Sequence, residues 1–391
     1  MSVPRRKMVI IFGAFISILL FGFVHADELR DRSSFLQAAI NKAGTVILPC
    51  GEYPVSKTIV LPSNIRLQAA KPGCVVIKQM ETLAYYSEFT RRWRRNPARI
   101  LITNADYDNG NSNITVQGIV FDMTRARVPG TNHVIQFYHG SDFHISEISC
   151  LGANRAGDCT AMIGVSNVTV SHSKASGLAN ACWDHWGGVE DALVEFNECD
   201  AGSSPASYGI LFTGANTDAS PNTSRRVRII SNTIRGANSS AIWIQGGRKP
   251  GSDKTGLVEG FYVFDNTIIG GKPNGGIRCS GAINGKIEHN KITGTYGSSI
   301  SVWAEGPGSP IFGCKNVEVL DNTISHPGEA AIIVGDYNSG ITIAHNTILD
   351  PPRRAAIEIL PQNCGIDVKR DNIFSSNIRQ KFLDKSGHRP C

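Results

Sequence analysis

The chain has 391 residues and a formal net charge of +6, which is long for one globular core but ordinary for an array of repeats. Glycine is abundant at 40 residues and charged residues make up only 18%, a composition that suits short strands joined by tight turns. The small charge excess gives no indication of a nucleic-acid partner.

The first 26 residues have the pattern of a secretory signal peptide. Basic residues at 5–7 precede an apolar run over residues 8–24, and Ala26 closes a small-x-small cleavage site. We therefore expect a secreted or periplasmic chain over residues 27–391, with its charge lowered to +3 and without a stable membrane domain. An uncleaved membrane anchor is the alternative, because the apolar run is only slightly shorter than a spanning helix.

Ten cysteines, an even number, make disulfides plausible in an exported chain. Two pairs, Cys50 with Cys74 and Cys364 with Cys391, would fasten the two ends of the chain. Cys199 is expected to be a thiol in the core. No C-x-x-C metal spacing occurs.

A helix is predicted directly after the leader, because apolar residues recur there at helical spacing. Ser33 or Ser34 is expected to cap this helix and Gly44 to end it. Such a helix would cover the open end of a stack of strands, which otherwise invites edge pairing. Its apolar face comprises Phe35, Leu36, Ala39 and Ile40.

Residues 45–67 read T-V-I-L-P-C-G-E-Y-P-V-S-K-T-I-V-L-P-S-N-I-R-L. This segment resembles the opening of the pectate-lyase-like β-helix superfamily, in which a helix ending in glycine leads to a strand and a Pro-x-Gly-x-Tyr sequence. The resemblance implies an all-β fold, a single-stranded right-handed parallel β-helix with an N-terminal capping helix, and it implies no particular substrate. The matching residues are Pro49, Gly51, Tyr53, Ser56, Thr58, Ile59, Leu61 and Asn64.

An insert over residues 78–111 breaks the pattern of short strands. A loop of this length in a compact array is usually functional or mobile. Its basic run at 91–95, with Arg99 nearby, could meet an acidic glycan or a membrane face, or it could be a solvated loop. Its aromatic residues are Tyr85, Tyr86, Phe89 and Trp93.

After the insert, an asparagine recurs at one place in successive repeats, at steps of 24 to 35 residues that indicate a solenoid. Coils would stack about 4.8 Å apart, so the stacked amides can bond along a column. Asparagine also tolerates the positive φ that a tight bend requires. The column comprises Asn197, Asn232, Asn266, Asn290, Asn322, Asn346 and Asn372.

Isoleucines at fixed distances from these asparagines are expected to face inward, so their alternate neighbours should face outward. One inward column comprises Ile234, Ile268, Ile292, Ile324 and Ile348, and another comprises Ile242, Ile277, Ile300, Ile332 and Ile357. The first outward column comprises Leu211, Trp243, Arg278, Ser301, Ile333 and Glu358. The second comprises Thr213, Gln245, Ser280, Trp303, Gly335 and Leu360.

These outward columns are where a function is expected. Trp243 and Trp303 would lie two coils apart, roughly 10 Å along the axis, where they could stack on the apolar faces of sugars or pack beneath a corner loop. We predict that Trp186, Trp243, Gln245 and Trp303 line the subsites of a polysaccharide.

The segment C-W-D-H-W-G-G at 182–188 is the densest group of reactive and aromatic residues. If Trp183 points inward, Asp184 and Trp186 point outward, and His185 points inward unless the strand ends there, as the glycine pair allows. His133, His139 and His144 also cluster in the sequence but lack a zinc spacing, and they are expected at the surface or in corners.

The leading hypothesis is a monomeric lyase that cleaves an acidic polysaccharide by β-elimination. Arg278 would neutralise the uronate carboxylate and His185 would remove the α-proton, while Asp184 would orient the histidine or hold Ca²⁺. No other cofactor is implied.

Two alternatives remain open at this stage. A glycoside hydrolase would use Glu305 and Asp336, which are expected on adjacent coils. A scaffold or adhesin would bind glycan without turnover. The catalytic motifs of the polygalacturonases, the pectate lyases and the bacterial alginate epimerases are absent, so the resemblance assigns no catalytic residue.

Overall fold

The computed structural model describes residues 17–19, 30–84, 86, 98–126, 131–201, 208–214, 223–248, 255–271, 275–304 and 313–386. Several residues named above lie outside these ranges: most of the predicted leader, Tyr85, Phe89, the basic run at 91–95, Glu305 and Cys391. Within the described ranges there are one helix and 37 strands, and the strands of the two large sheets build a stack of coils in which strands of successive coils pair in parallel. No helix in these ranges is long and apolar enough to span a membrane.

The first sheet takes one strand from each coil and has 13 strands. They are β1 (Ser17–Leu19), β2 (Thr45–Leu48), β5 (Ile65–Ala69), β8 (Asn111–Gln117), β11 (Gly140–Ser146), β13 (Ser166–Ser171), β15 (Glu190–Glu195), β18 (Ser224–Ile230), β23 (Val258–Phe264), β26 (Ala282–Glu288), β29 (Lys315–Leu320), β32 (Ser339–Ala344) and β35 (Cys364–Val368).

A second sheet of 22 strands contains two columns, because two long strands run through both. The first of these columns comprises β3 (Gly51–Val55), β6 (Val75–Gln79), β9 (Ile119–Asp122), β12 (Ser149–Ile163), β14 (Lys174–Trp186), β16 (Glu198–Asp200), β19 (Thr233–Arg235), β24 (Thr267–Ile269), β27 (Lys291–Thr293), β30 (Thr323–Ser325), β33 (Thr347–Ile348) and β36 (Ile373–Phe374).

The other column, here called the third-strand column, carries the predicted functional residues. It comprises β4 (Ile59–Leu61), β7 (Ala98–Asn104), β10 (Thr131–Tyr138), the second halves of β12 and β14, β17 (Tyr208–Thr213), β20 (Ile242–Gln245), β25 (Ile277–Ser280), β28 (Ile300–Trp303), β31 (Ile332–Val334), β34 (Ile357–Ile359) and β37 (Phe382–Asp384). A separate antiparallel hairpin joins β21 (Gly247–Arg248) and β22 (Thr255–Gly256).

The predicted capping helix is present as α1 (Ser33–Ile40), and it packs against β2, β3 and β4. Leu36 and Ile40 are buried as predicted, but Phe35 is 43% exposed. The predicted serine cap is wrong: the N-cap residue is Arg32, without a side-chain cap bond. The Ser33 hydroxyl instead accepts the backbone N–H groups of the chain at 56–57, which fixes the helix to the first coil.

The asparagine column is confirmed. Each Oδ1 accepts both the backbone N–H and the Nδ2–H of the asparagine before it, at 2.9–3.1 Å. Ser173 extends the column by one coil by donating its N–H to Asn197 Oδ1. The predicted positive φ falls on the residue before six of the seven asparagines, all but Asn372, and not on the asparagine itself, as at His289 with φ 55° and His345 with φ 56°.

Three disulfides are described. The predicted Cys50–Cys74 pair is confirmed. Sequence reasoning missed Cys150–Cys159 and Cys182–Cys199, so the expectation that Cys199 is a free thiol is wrong. The predicted Cys364–Cys391 pair stays a prediction.

The carboxylate of Asp31 ties α1 to the first coil and should make stability depend on acid. Burial alone would raise its pKa, but hydrogen bonds from Ser33 and Ser56 outweigh burial and lower the pKa from 3.8 to about 2. A lowered pKa contributes stability that is complete above 3.8 and is lost as the pH falls towards 2. We expect Asp31→Asn to reduce the Tm at neutral pH by about 1–2 °C, because the site is exposed. The Tm difference between the two proteins should vanish in acid; a difference independent of pH would contradict this role.

Cys279 and Cys314 should form a further disulfide under oxidising conditions. Both thiols are buried, and their Sγ atoms lie 2.6 Å apart. During refolding, oxidised glutathione would take up two electrons and two protons from the pair and leave as two thiols. Peptide mapping after alkylation of the denatured protein should find Cys279 blocked in the wild type and alkylated in Cys314→Ser. Full alkylation of Cys279 in the oxidised wild type would refute the pairing.

Candidate functional site

The outward side of the third-strand column, here called the outer face, has the predicted register. Leu211, Trp243, Arg278, Ser301, Ile333 and Glu358 pair in succession in the first outward column. Thr213, Gln245, Ser280 and Trp303 do so in the second. Asp184 and Trp186 extend the two columns by one coil, beside Leu211 and Thr213.

His185 lies on the opposite side of its strand, inside the coil. Its side chain is fully buried and its ring stacks on Phe212 at 4.3 Å. Burial lowers the pKa of His185 to about 3, so the imidazole is neutral. The prediction that His185 removes a proton from a bound sugar is therefore wrong, because its ring has no access to the outer face.

Arg278 lies in the same outward column as Asp184 but three coils further along. At the spacing of stacked strands, this separation is about 14 Å. A uronate carries its carboxylate and α-proton on neighbouring carbons, so these two residues cannot act on one sugar unit. The predicted trio of Asp184, His185 and Arg278 does not form a single catalytic centre.

Asp184 has an unusual environment, which sequence reasoning missed. It is 7% exposed, and its Oδ1 is buried without a hydrogen-bond partner among the described residues. Burial, and then the nearby charge of Asp158, raise the pKa of Asp184 well above its usual value. The carboxyl therefore favours its protonated form.

Asp158 lies on the preceding coil beside Ala181, where it is held in place. It is fully buried, and its Oδ2 lies 2.7 Å from Nδ1 of His133. Its Oδ1 accepts hydrogen bonds from Asn180 Nδ2 at 2.8 Å and from the N–H of Ala181 at 2.9 Å. The expectation that His133 is a surface or corner residue is wrong, because it is 3% exposed.

Trp243 is part of a small cluster that fixes its ring. Its Nε1–H donates to Ser280 Oγ at 2.8 Å, and the ring of Tyr208 lies 5.4 Å away. The Arg278 guanidinium lies 4.8 Å from the ring centroid, within the range of a cation–π contact. Because Trp243 and Arg278 are half-buried, each keeps part of its surface open to a ligand.

Trp303 rests on the next coil at a position where only glycine fits. A Cβ at Gly335 would overlap the six-membered ring of Trp303. The indole is therefore supported on one side by backbone and is half-exposed. Asp336, the described member of the alternative hydrolase pair, follows directly and is half-buried, with Oδ1 lacking a hydrogen-bond partner among the described residues.

An open cavity of about 470 Å³ lies on the outer face between these coils. Arg278, Ser301, Trp303 and Ile333 form its floor, and corner residues form its walls. The wall residues are Tyr296, Gly297, Ser298, Glu329 and Arg354, which the outward pattern could not identify because they lie in the corners. We call this cavity, with Trp243 at its edge, the groove.

The other predicted substrate-binding residues differ in accessibility. Gln245 is half-buried beside Ser280, next to the groove. Trp186 packs against an aromatic cluster that contains Tyr86, Tyr107 and Tyr138. Trp186 is half-buried against these rings, and its predicted contact with a polysaccharide stays a prediction.

A buried charged residue lies at the C-terminal end of the outer face. Glu358 points outward but is fully buried, where Arg354 and Lys385 contact Oε1 at 2.6 Å and 2.9 Å. Among the described residues, no group of three or more His, Cys, Asp or Glu side chains is arranged to hold a metal ion. The acidic residues of the outer face therefore occur singly or in ion pairs.

Comparison with known proteins agrees with this architecture. Residues 208–380 match a family model described as the right handed beta helix region. Together with the stacked parallel columns, this match supports a right-handed parallel β-helix fold for the chain.

Solved structures share the fold at low sequence identity. The A-module of the mannuronan C-5 epimerase AlgE4 from Azotobacter vinelandii has a TM-score of 0.66 and 17% identity, covering 93% of this chain and 96% of that one. The adhesin PfbA of Streptococcus pneumoniae has a TM-score of 0.66 and 13% identity, covering 92% of both chains. The tailspike of Escherichia coli bacteriophage HK620, solved with a pentasaccharide, has a TM-score of 0.63 and 13% identity, covering 90% of this chain and 64% of that one.

One curated relative matches over a short stretch. The phage-related protein YobO of Bacillus subtilis is 33% identical over 118 residues, or 30% of this chain. The chain spans only 13% of that relative's length.

The support of Trp303 by Gly335 gives a direct test of the groove. We expect Gly335→Ala to displace the indole, because the new methyl group would overlap the ring. The Trp303 indole N–H resonance, assigned with Trp303→Phe, should shift in the NMR spectrum. Gly44→Ala is the control, since its Cβ would meet only a carbonyl oxygen at 3.5 Å. An unchanged resonance in Gly335→Ala would contradict the proposed support.

Proposed function

We propose that this protein binds an extended acidic polysaccharide along the outer face. The observation that carries the proposal is the open cavity of about 470 Å³ with two tryptophans two coils apart at its floor and edge. Pyranose rings have apolar faces and wet edges, so they stack on half-exposed indoles while their hydroxyl groups meet polar neighbours.

The acidic character of the ligand is inferred from the arginines. Arg278 and Arg354 both line the groove. Arg354 is already engaged by Glu358 at 2.6 Å, with Glu329 at 4.0 Å. The Arg278 guanidinium lies over Trp243 at the groove floor, and a planar guanidinium can recognise a carboxylate through its N–H groups.

The fold comparisons support a glycan ligand by analogy. One matching protein is named as a mannuronan epimerase, and another was solved with a pentasaccharide. An exported, monomeric protein would meet such polymers, and the disulfides suit an oxidising compartment.

A lyase is the second candidate, and it rests on Arg278 alone. β-Elimination requires the uronate carboxylate to be neutralised, which Arg278 can do at the groove floor. The base would have to be a residue other than His185. A hydrolase that uses Asp336 with Glu305, and a scaffold that binds without turnover, are the other outcomes of the test.

Affinity measurements with polygalacturonate and polymannuronate, against neutral dextran, test the proposal. We expect Arg278→Ala and Trp303→Ala each to weaken binding of the acidic probes by roughly tenfold, because each removes one contact worth about 1–2 kcal/mol. Arg66→Ala, an exposed arginine on the first sheet, is the matched control. Equal affinity of Arg278→Ala and the wild type would refute the groove as the acidic-glycan site.

The same samples report the reaction. Unsaturated product absorbance that is lost in Arg278→Ala would select the lyase. New reducing ends without that absorbance, lost in Glu305→Gln or Asp336→Asn, would select the hydrolase. Binding with neither product would select the scaffold.

A further inference from the structure

Two pairs, each of an arginine over an aromatic ring, border the groove. One is the pair of Arg278 and Trp243 described above, with 4.8 Å between the guanidinium and the ring centroid. In the other, the guanidinium of Arg353 lies 5.6 Å from the ring centroid of Tyr296, a wall residue of the groove that is 57% exposed. Both distances are within the range of a cation–π contact. The groove therefore has a cation held over a ring at two places, and the proposed function uses only the first.

The corners that precede β28, β31 and β34 stack on one another, and this stacking brings Arg353 to Tyr296. Backbone N–H to O bonds of 3.2 Å and 3.4 Å join the three corners in succession, through Gly297, Glu329 and Arg354. The residues directly before these three are Tyr296, Gly328 and Arg353, which therefore stand at equivalent places on successive corners. Because Gly328 has no side chain, the long side chain of Arg353 can cross the middle corner and reach the ring.

The corner before β34 carries two neighbouring arginines that have different surroundings. Arg354 lies 2.6 Å from the buried carboxylate of Glu358 and 4.0 Å from Glu329, so its charge is compensated. Arg353 is exposed, and in the part of the chain that the structure describes no carboxylate forms an ion pair with it. The preceding Pro351–Pro352 pair restricts the backbone of the corner. Arg353 therefore offers the groove wall a positive charge that the protein itself does not neutralise.

We propose that Arg353, held over Tyr296, is a second carboxylate-binding residue of the groove, so that an acidic polysaccharide is recognised at two points. The inference rests on the proposed function and adds that the ligand carries negative charges on well-separated sugar units. Strands β25 and β34 are three coils apart, so Arg278 and the corner of Arg353 are separated by about 14 Å along the axis. One uronate cannot contact both arginines. Because Arg278 and Tyr296 line the same cavity, a longer chain can pass from one pair to the other.

The test compares affinities for two galacturonate probes, a disaccharide and an oligosaccharide long enough to span three coils. The ratio of the long-probe affinity to the disaccharide affinity should fall by about tenfold in Arg353→Ala, because only the long probe gains a second charge-assisted contact. Tyr296→Ala should lower the same ratio by roughly two- to fivefold, since it removes the ring beneath the cation, and Tyr296→Phe should keep the wild-type ratio. Arg370→Ala, which removes an exposed arginine outside the groove, is the matched control and should also keep the ratio.

The outcomes separate the two proposals. If Arg278→Ala weakens binding of the acidic probes while Arg353→Ala leaves the ratio unchanged, the second subsite is refuted and the groove stands. An equal fall in Arg370→Ala would also refute the subsite, because net charge alone would then explain the effect. If the wild type binds no acidic probe, both proposals are refuted. Since Arg353 is exposed, Arg353→Ala should keep the wild-type Tm within about 2 °C; a larger fall would assign Arg353 to the stability of the corner and overturn its role in binding.

Discussion

The bend between the first and second strands of each coil depends on one hydrogen-bonded column. Each column asparagine before Asn372 donates its N–H and Nδ2–H to the Oδ1 of the next, and its Nδ2 also donates to a backbone carbonyl of the preceding coil, as Asn290 does to Val263. These bonds satisfy buried amides and backbone groups that no water reaches. A coil shifted relative to its neighbour would leave several of these groups unpaired, so the column fixes the position and rotation of the coils from Ser173 to Asn372.

The outer face follows from that constraint. Because coils cannot slip, residues at equivalent positions stack directly, and a side chain from one coil can rely on the backbone of the next. Trp303, for example, packs its ring against the backbone of Gly335 on the next coil, where the absence of a Cβ leaves room for the ring. Trp243 instead donates a hydrogen bond from Nε1 to the hydroxyl of Ser280 on the adjacent coil. The repeated asparagines and isoleucines therefore position the outward side chains, whose identities differ from coil to coil.

The sequence was sufficient for the fold and for the outer face from Leu211 onward, because the asparagines and isoleucines mark the register of each coil. The sequence was insufficient where the column asparagine is missing. In the coils of β12 and β14 the column has Ser173 or no member, and the bend between the second and third strands of each coil is absorbed into a single long strand. The proximity of His133, Asp158 and Asp184 depends on that local geometry. The positive φ before the column asparagines other than Asn372 was missed for a different reason: the asparagine turns its amide inward to bond along the column, so its predecessor makes the bend.

The two ends of the outer face differ in their exposure to water, and this difference sets their chemistry. At Trp186 the second outward column is covered by stacked aromatic rings, with Tyr107 and Tyr138 at 4.6 Å. Next to these rings Asp184 is buried, and the free-energy cost of removing its charged form from water favours the protonated carboxyl. At the groove the corners stay open, and an arginine keeps its charge in contact with solvent. The outer face, although built from similar coils, therefore has a charged group where water enters and a carboxyl that favours its protonated form where water is excluded.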